Sequence, residues 1–205
     1  VIVTVGLGDT PNAGDCFKAA GAAAKMLADQ QRSSVAFYFP ELDSALLESA
    51  VAGSVVGSQG QDLHKKTKSL YPPEQILWAS TNADAVTAGE NIATGVNLTR
   101  TLVNQPPNYI YPESFAEQAA ELGQLKNVSV EIWDQERLEA ENCGSLLGVA
   151  QGSDKTPRLA ILRYTGKDSE NPSLAIVGKG VTYDSGGLSL KPSEGQKTMK
   201  CDMAG

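Results

Sequence analysis

Four charged residues stand at fixed intervals in the stretch "VGKGVTYDSGGLSLKPSEGQKTMKCDMAG", from Val177 to Gly205: Lys179, Asp184, Lys191 and Asp202. Two chemistries are open to lysines and aspartates in such a glycine-rich frame. Carboxylate oxygens bind hard or borderline divalent cations. A lysine can join them as a ligand only as the neutral amine, and deprotonating an ordinary lysine at neutral pH costs on the order of 4–5 kcal/mol, which a neighbouring cation would have to supply. The alternative is a network of ion pairs in which each carboxylate is neutralised by an ammonium. Residue types alone leave both readings open.

The elements that would hold these side chains can be read from the surrounding pattern. "SLAIVGKG" reads as an apolar strand with Lys179 at its carboxyl end, between Gly178 and Gly180. Open α/β sheets gather ligands at such ends, and small residues let the backbone approach closely. "YDSGG" places Asp184 in a tight turn with Gly186 and Gly187, and "KCDMAG" places Asp202 before another small-residue turn.

Upstream, apolar runs and helical stripes alternate. "VIVTV" reads as a β-branched strand, followed by a helix in "CFKAAGAAAKMLADQ" with Asp15 as N-cap and Phe17, Ala20, Ala24 and Leu27 on one face. "SVAFYF" reads as a second strand, "LDSALLESAVAGSVVGS" as a second helix and "QILWAS" as a third strand, the spacing of βαβ units in a doubly wound, parallel layer. Between Asp84 and Val103 a stripe of Ala85, Ala88, Ile92, Val96, Thr99 and Val103 predicts a long helix, stopped by the prolines of "NQPPN" and suited to link two domains. Beyond it the sequence predicts a helix in "PESFAEQAAELGQL", a strand in "VSVEIW", a short helix opened by Asp134, and a strand in "RLAILRY" before the one that delivers Lys179.

With these residues in view, "VGKGVTYDSGGLSLKPS" followed by "MKCDMAG" closely resembles the signature of the leucyl aminopeptidase family, the two-metal cytosolic aminopeptidases. That family keeps a lysine, an aspartate five residues later, a lysine seven after that and an aspartate eleven further on, the spacing of Lys179, Asp184, Lys191 and Asp202. "VGLG" with "KAAGAAAK" is similar to its N-terminal domain, and "LVNQPPNYIYPESFAEQA" to the entrance of its catalytic domain.

The resemblance implies an α/β fold: an N-terminal macro-like doubly wound domain (residues 1–83), a linker helix (84–104) and the first part of a catalytic metallopeptidase domain (105–205). It implies two divalent ions, zinc or manganese. Lys179 would be a neutral-amine ligand, Asp184 would bridge the ions, and Asp202 would bind the same ion as Lys179. Lys191 would act on the peptide carbonyl as an ammonium, and Met199 would line the pocket for the first substrate side chain. The implied activity is release of N-terminal residues, leucine-like ones preferred, from peptides with a free amino terminus, by a homohexamer. The family's further ligands and an arginine come from an Asp-x-Glu-Gly-Arg motif that does not occur in these 205 residues, so the chain by itself is expected to be inactive. The different class of function is a non-catalytic binding or assembly module derived from the same fold.

Composition narrows the field further. At 41% hydrophobic and 20% charged residues, the 205-residue chain can bury a sizeable core, and its length suits two small domains. The net charge of −7, with Lys65, Lys66 and Lys68 as the sole basic knot, counts against a nucleic-acid surface, which needs a clustered basic stripe. No apolar run has the length of a membrane span and no signal peptide is visible, so a cytoplasmic protein is expected. Cys16, Cys143 and Cys201 are widely spaced and odd in number, which predicts reduced thiols. Cys201 as a nucleophile would need a base, and the sole histidine, His64, lies far away in the sequence, in a stretch that reads as an exposed loop. "VGLGDTPNAG" lacks the third glycine of a dinucleotide loop, which counts against a nucleotide or ADP-ribose binder. The start at Val1 and the end at Gly205 in mid-motif lead us to expect a segment of a longer protein.

Overall fold

A computed structural model describes residues 1–39, 42–166 and 174–205, which divide into two units, Val1–Leu102 and Val103–Gly205. In the first unit the opening helix, α1 (Ala13–Leu27), is started by Asn12, not Asp15. Asp15 N–H donates to Asn12 Oδ1 at 3.1 Å and Asn12 N–H donates back to Asp15 Oδ2 at 3.2 Å. Both residues are good caps; Asp15 serves three positions in, where it closes the box and meets the positive end of the helix dipole. Strand β1 (Ser34–Phe37) is followed by α2 (Ser44–Ser58), whose cap Asp43 accepts from Leu46 N–H at 2.9 Å, and by β2 (Gln75–Trp78). β1 and β2 pair in parallel with Val35 opposite Ile76, and the Phe37 ring stacks on Trp78 at 5.3 Å.

The expected strand "VIVTV" does not form. Val1 and Ile2 are 97% and 93% exposed, because none of the described strands offers this run a ladder. Leu7 alone of this region packs onto the core cluster of Cys16, Ala20 and Ala50.

Small residues let the helices of this unit touch backbone to backbone. A Cβ on Gly53 of α2 would overlap the Phe17 carbonyl of α1, and one on Gly57 would overlap Gly21. Gly53→Ala is therefore expected to lower stability by about 2–3 kcal/mol, the cost of overpacking a close contact. Urea unfolding of the protein would show a lower midpoint at unchanged slope, and an unchanged midpoint would refute the contact.

The long helix α3 (Ala83–Asn104) buries Ala85, Gly89 and Ala93, while Ile92 of the expected stripe is 47% exposed. The cause is Gly89, which lies so close to Glu48 O and Val51 of α2 that the contact line runs through it and rotates Ile92 outward. Arg100 of α3 donates to Val56 O at 2.9 Å and Gln59 O at 3.2 Å, satisfying carbonyls at the end of α2.

In the second unit, α4 (Pro112–Glu121) has Pro112 at its start, and Ser114 Oγ accepts from Tyr111 N–H at 3.0 Å, while the Tyr111 side chain makes no cap hydrogen bond. β3 (Val128–Trp133) pairs antiparallel with β4 (Leu159–Tyr164), Val130 opposite Leu162. Between them lie α5 (Gln135–Ala140), capped by Asp134, and α6 (Gly144–Ala150), which the sequence pattern did not announce. The expected strand "SLAIVGKG" begins at Ser173, outside the described residues. From 174 to 180 there is no strand, and Val177 is 95% exposed, because among the described residues β3 and β4 pair only with each other. A short helix, α7 (Ser193–Gln196), and a 3₁₀ turn, Met199–Cys201, complete the unit. Among the described residues no helix is long and apolar enough to cross a membrane.

Candidate functional site

Lys179, Asp184, Lys191 and Asp202 come together in the second unit. The turn that aims Asp184 is built on its own carboxylate: Gly186 N–H donates to Asp184 Oδ1 at 2.8 Å. Gly186 has φ 94°, and a side chain there would run into the Ser189 carbonyl, so this bend requires glycine. Lys191 N–H closes the loop on Ser185 O at 2.9 Å.

The other carboxylate oxygen, Asp184 Oδ2, lies 2.7 Å from Lys191 Nζ and 3.9 Å from Lys179 Nζ. Lys191 Nζ also donates to Asp184 O at 3.1 Å and lies 3.0 Å from Met199 Sδ. Lys179 Nζ stands 2.7 Å from Asp202 Oδ2. That oxygen is buried and has no hydrogen bond of good angular geometry, so the ammonium holds it by charge and proximity.

Electrostatics follow the distances. The hydrogen bond from Lys191, then that from Gly186 N–H, hold the Asp184 carboxyl below the usual carboxylate range. The Asp202 carboxylate pushes Lys179 above the ordinary lysine value, against the opposing effect of desolvation.

Two backbone features frame the cluster. Gly178 and Gly205 cross so tightly that a Cβ on Gly178 would overlap Gly205 O, which ties the Lys179 segment to the end of the Asp202 turn. Gln196 Nε2 donates to Lys191 O at 2.7 Å, and Tyr183 Oη meets Gln196 Oε1 at 3.0 Å. Sequence reasoning missed Tyr183 and Gln196, whose contact runs thirteen residues along the chain, from a loop to the end of α7, without any periodicity to announce it.

The fit to a cation can be judged from the donors. Lys179, Asp184 and Asp202 converge, and the buried Asp202 Oδ2, held against the Lys179 ammonium at 2.7 Å, sits in a place that accepts positive charge. Among the described residues no group of three or more His, Cys, Asp or Glu side chains could hold a metal ion. The set thus fits part of a metal site. The other sequence candidates lie elsewhere: His64 is exposed, and Lys65 of the basic knot is paired with Asp62 at 2.7 Å.

Residues 97–205 match the sequence profile described as the catalytic domain of the cytosol aminopeptidase family. A probable cytosol aminopeptidase of Rhodopirellula baltica is 41% identical over 207 residues, a match covering 100% of this chain and 41% of the relative. Another, of Leifsonia xyli, is 42% identical over 198 residues, covering 93% of this chain and 39% of its own length. The chain therefore spans about two fifths of the curated relatives it matches. Among solved structures, the bottromycin maturation enzyme BotP in complex with Mn is 29% identical with a TM-score of 0.85, over 98% of this chain and 44% of BotP.

Proposed function

The chain belongs to the cytosol aminopeptidase family, and from that premise we propose that it provides the lysine–aspartate part of a two-metal site that removes N-terminal residues from peptides. The observation that carries this reading is the convergence of Lys179, Asp184, Lys191 and Asp202, with Asp184 Oδ2 within 4 Å of both ammonium groups and Asp202 Oδ2 buried against Lys179.

In this reading Lys179, Asp184 and Asp202 hold the ions, Lys179 after losing its proton. Two divalent ions, zinc or manganese, supply Lewis acidity and a water acidic enough to ionise near neutral pH. The manganese found with BotP supports manganese as one of them. Two ions need more ligands than two carboxylates and an amine, so residues outside this set complete the coordination.

Lys191 has a different part. Its ammonium is held by Asp184 and by the Met199 sulfur, and it donates to the substrate carbonyl as negative charge develops on that oxygen. Met199, beside it, lines the pocket for the first side chain and favours apolar, leucine-like residues through its polarisable thioether. The cytosol aminopeptidase name of the relatives supports a cytoplasmic enzyme, and in this reading it works as a homohexamer.

The test is hydrolysis of leucine p-nitroanilide by the full-length protein. We expect release of p-nitroaniline that is abolished by a chelator and restored by manganese or zinc. Full activity after exhaustive chelation would overturn the metal reading. A folded full-length protein inactive with every divalent ion would instead favour the non-catalytic binding or assembly module.

A further inference from the structure

The 3₁₀ turn Met199–Cys201 has two working sides. Residues three apart in such a turn eclipse one another, so Met199 and Asp202 share a side, the one that meets Lys191 and Lys179. The two residues between them face the other way. Lys200 Nζ donates to Asn104 O at 2.8 Å, and Cys201 Sγ lies 3.8 Å from Val103 O.

Those carbonyls are the last of α3. Terminal helix carbonyls have no intrahelical donor and carry the negative end of the dipole. The amides four residues after Leu102 and Val103 would be those of Pro106 and Pro107, which have no N–H, so the helix pattern stops at this end. A half-buried lysine, 96 residues away in sequence, brings a charged donor to the Asn104 carbonyl there.

We propose that Lys200 is a positioning residue of the site: by capping the C-terminal end of α3, its ammonium fixes the turn that sets Met199 and Asp202 against the lysine–aspartate cluster. The effect on metal affinity rests on the function proposed above; the effect on the turn does not. Among the described residues the Lys200 ammonium donates to Asn104 O and not to the four charged residues, so it acts through the turn.

The test uses the full-length protein with Lys200→Leu, Lys200→Arg and Lys200→Gln, and Asp202→Asn as reference. One readout is manganese affinity by calorimetry; the other is alkylation of Cys201 by iodoacetamide, followed by peptide mass spectrometry without added metal. Lys200→Leu should weaken manganese binding about 10-fold, within the range for groups that orient ligands, and speed Cys201 alkylation about 10-fold. Lys200→Arg should restore both values, and Lys200→Gln, which donates without charge, should fall between. Equal manganese binding in wild type and Asp202→Asn would refute the metal reading, and the thiol readout would still decide the positioning role. Wild-type alkylation in Lys200→Leu, or no rescue by Lys200→Arg, overturns the proposal. Should Lys200→Leu not fold, wild-type alkylation in Lys200→Gln overturns it equally.

Discussion

Replacing Lys191 by alanine is expected to lower kcat of the full-length protein on leucine p-nitroanilide by about 10²–10³-fold, equivalent to about 2.7–4 kcal/mol of transition-state stabilisation. Manganese affinity should stay near the wild-type value. The split follows from what the ammonium touches: Asp184 Oδ2 at 2.7 Å, Asp184 O at 3.1 Å and Met199 Sδ at 3.0 Å fix it in place without making it one of the cation donors. A donor so held needs no reorganisation when charge appears on the substrate oxygen, which is why its loss should fall on kcat. A variant within about threefold of wild type in kcat would remove Lys191 from the chemistry. Loss of manganese binding instead would show that its role is to shape the Asp184 loop.

Asp184→Asn should act at the preceding stage. The amide keeps the shape of the carboxylate and one acceptor for Gly186 N–H, yet it removes the charge that lies 2.7 Å from Lys191 Nζ and 3.9 Å from Lys179 Nζ. Calorimetry of the full-length protein should show manganese affinity reduced by roughly 100-fold or more, beyond the 10–100-fold range of groups that merely orient ligands. Hydrolysis should be lost in parallel and recover in part at high manganese. Retained affinity would take Asp184 out of the ligand set.

The four charged residues were singled out in the sequence by their glycine-rich frame and by the resemblance of their spacing to the leucyl aminopeptidase signature, and the turn at Gly186, with its positive φ, is set locally. Helices were legible for a related reason, since caps such as Asp43 and Asp134 act within one turn of the residues they satisfy. What could not be read was anything that depends on a distant partner. "VIVTV" and the run from 174 to 180 have strand composition, but a strand exists only with a neighbour, and β1 through β4 provide them none. The buried face of α3 was misplaced because an apolar stripe was read through Ile92, whereas Gly89, with no side chain to register as apolar, sets the approach to α2. Asn12 and Asp15 are both capping types, and only the reciprocal pair of hydrogen bonds distinguishes cap from partner. Tyr183, Gln196 and Lys200 act across loops, where no period marks them.

The pairing of Lys179 with Asp202 and of Lys191 with Asp184 has a consequence for assembly. A cluster of carboxylates alone would push itself apart until a cation arrived, and its ligands would meet only at the moment of loading. Here the two positive and two negative charges cancel inside the cluster. On the proposed function, the two ammonium groups would hold the aspartates in register before an ion arrives, and loading would exchange the Lys179 proton for the ion with the scaffold already in place.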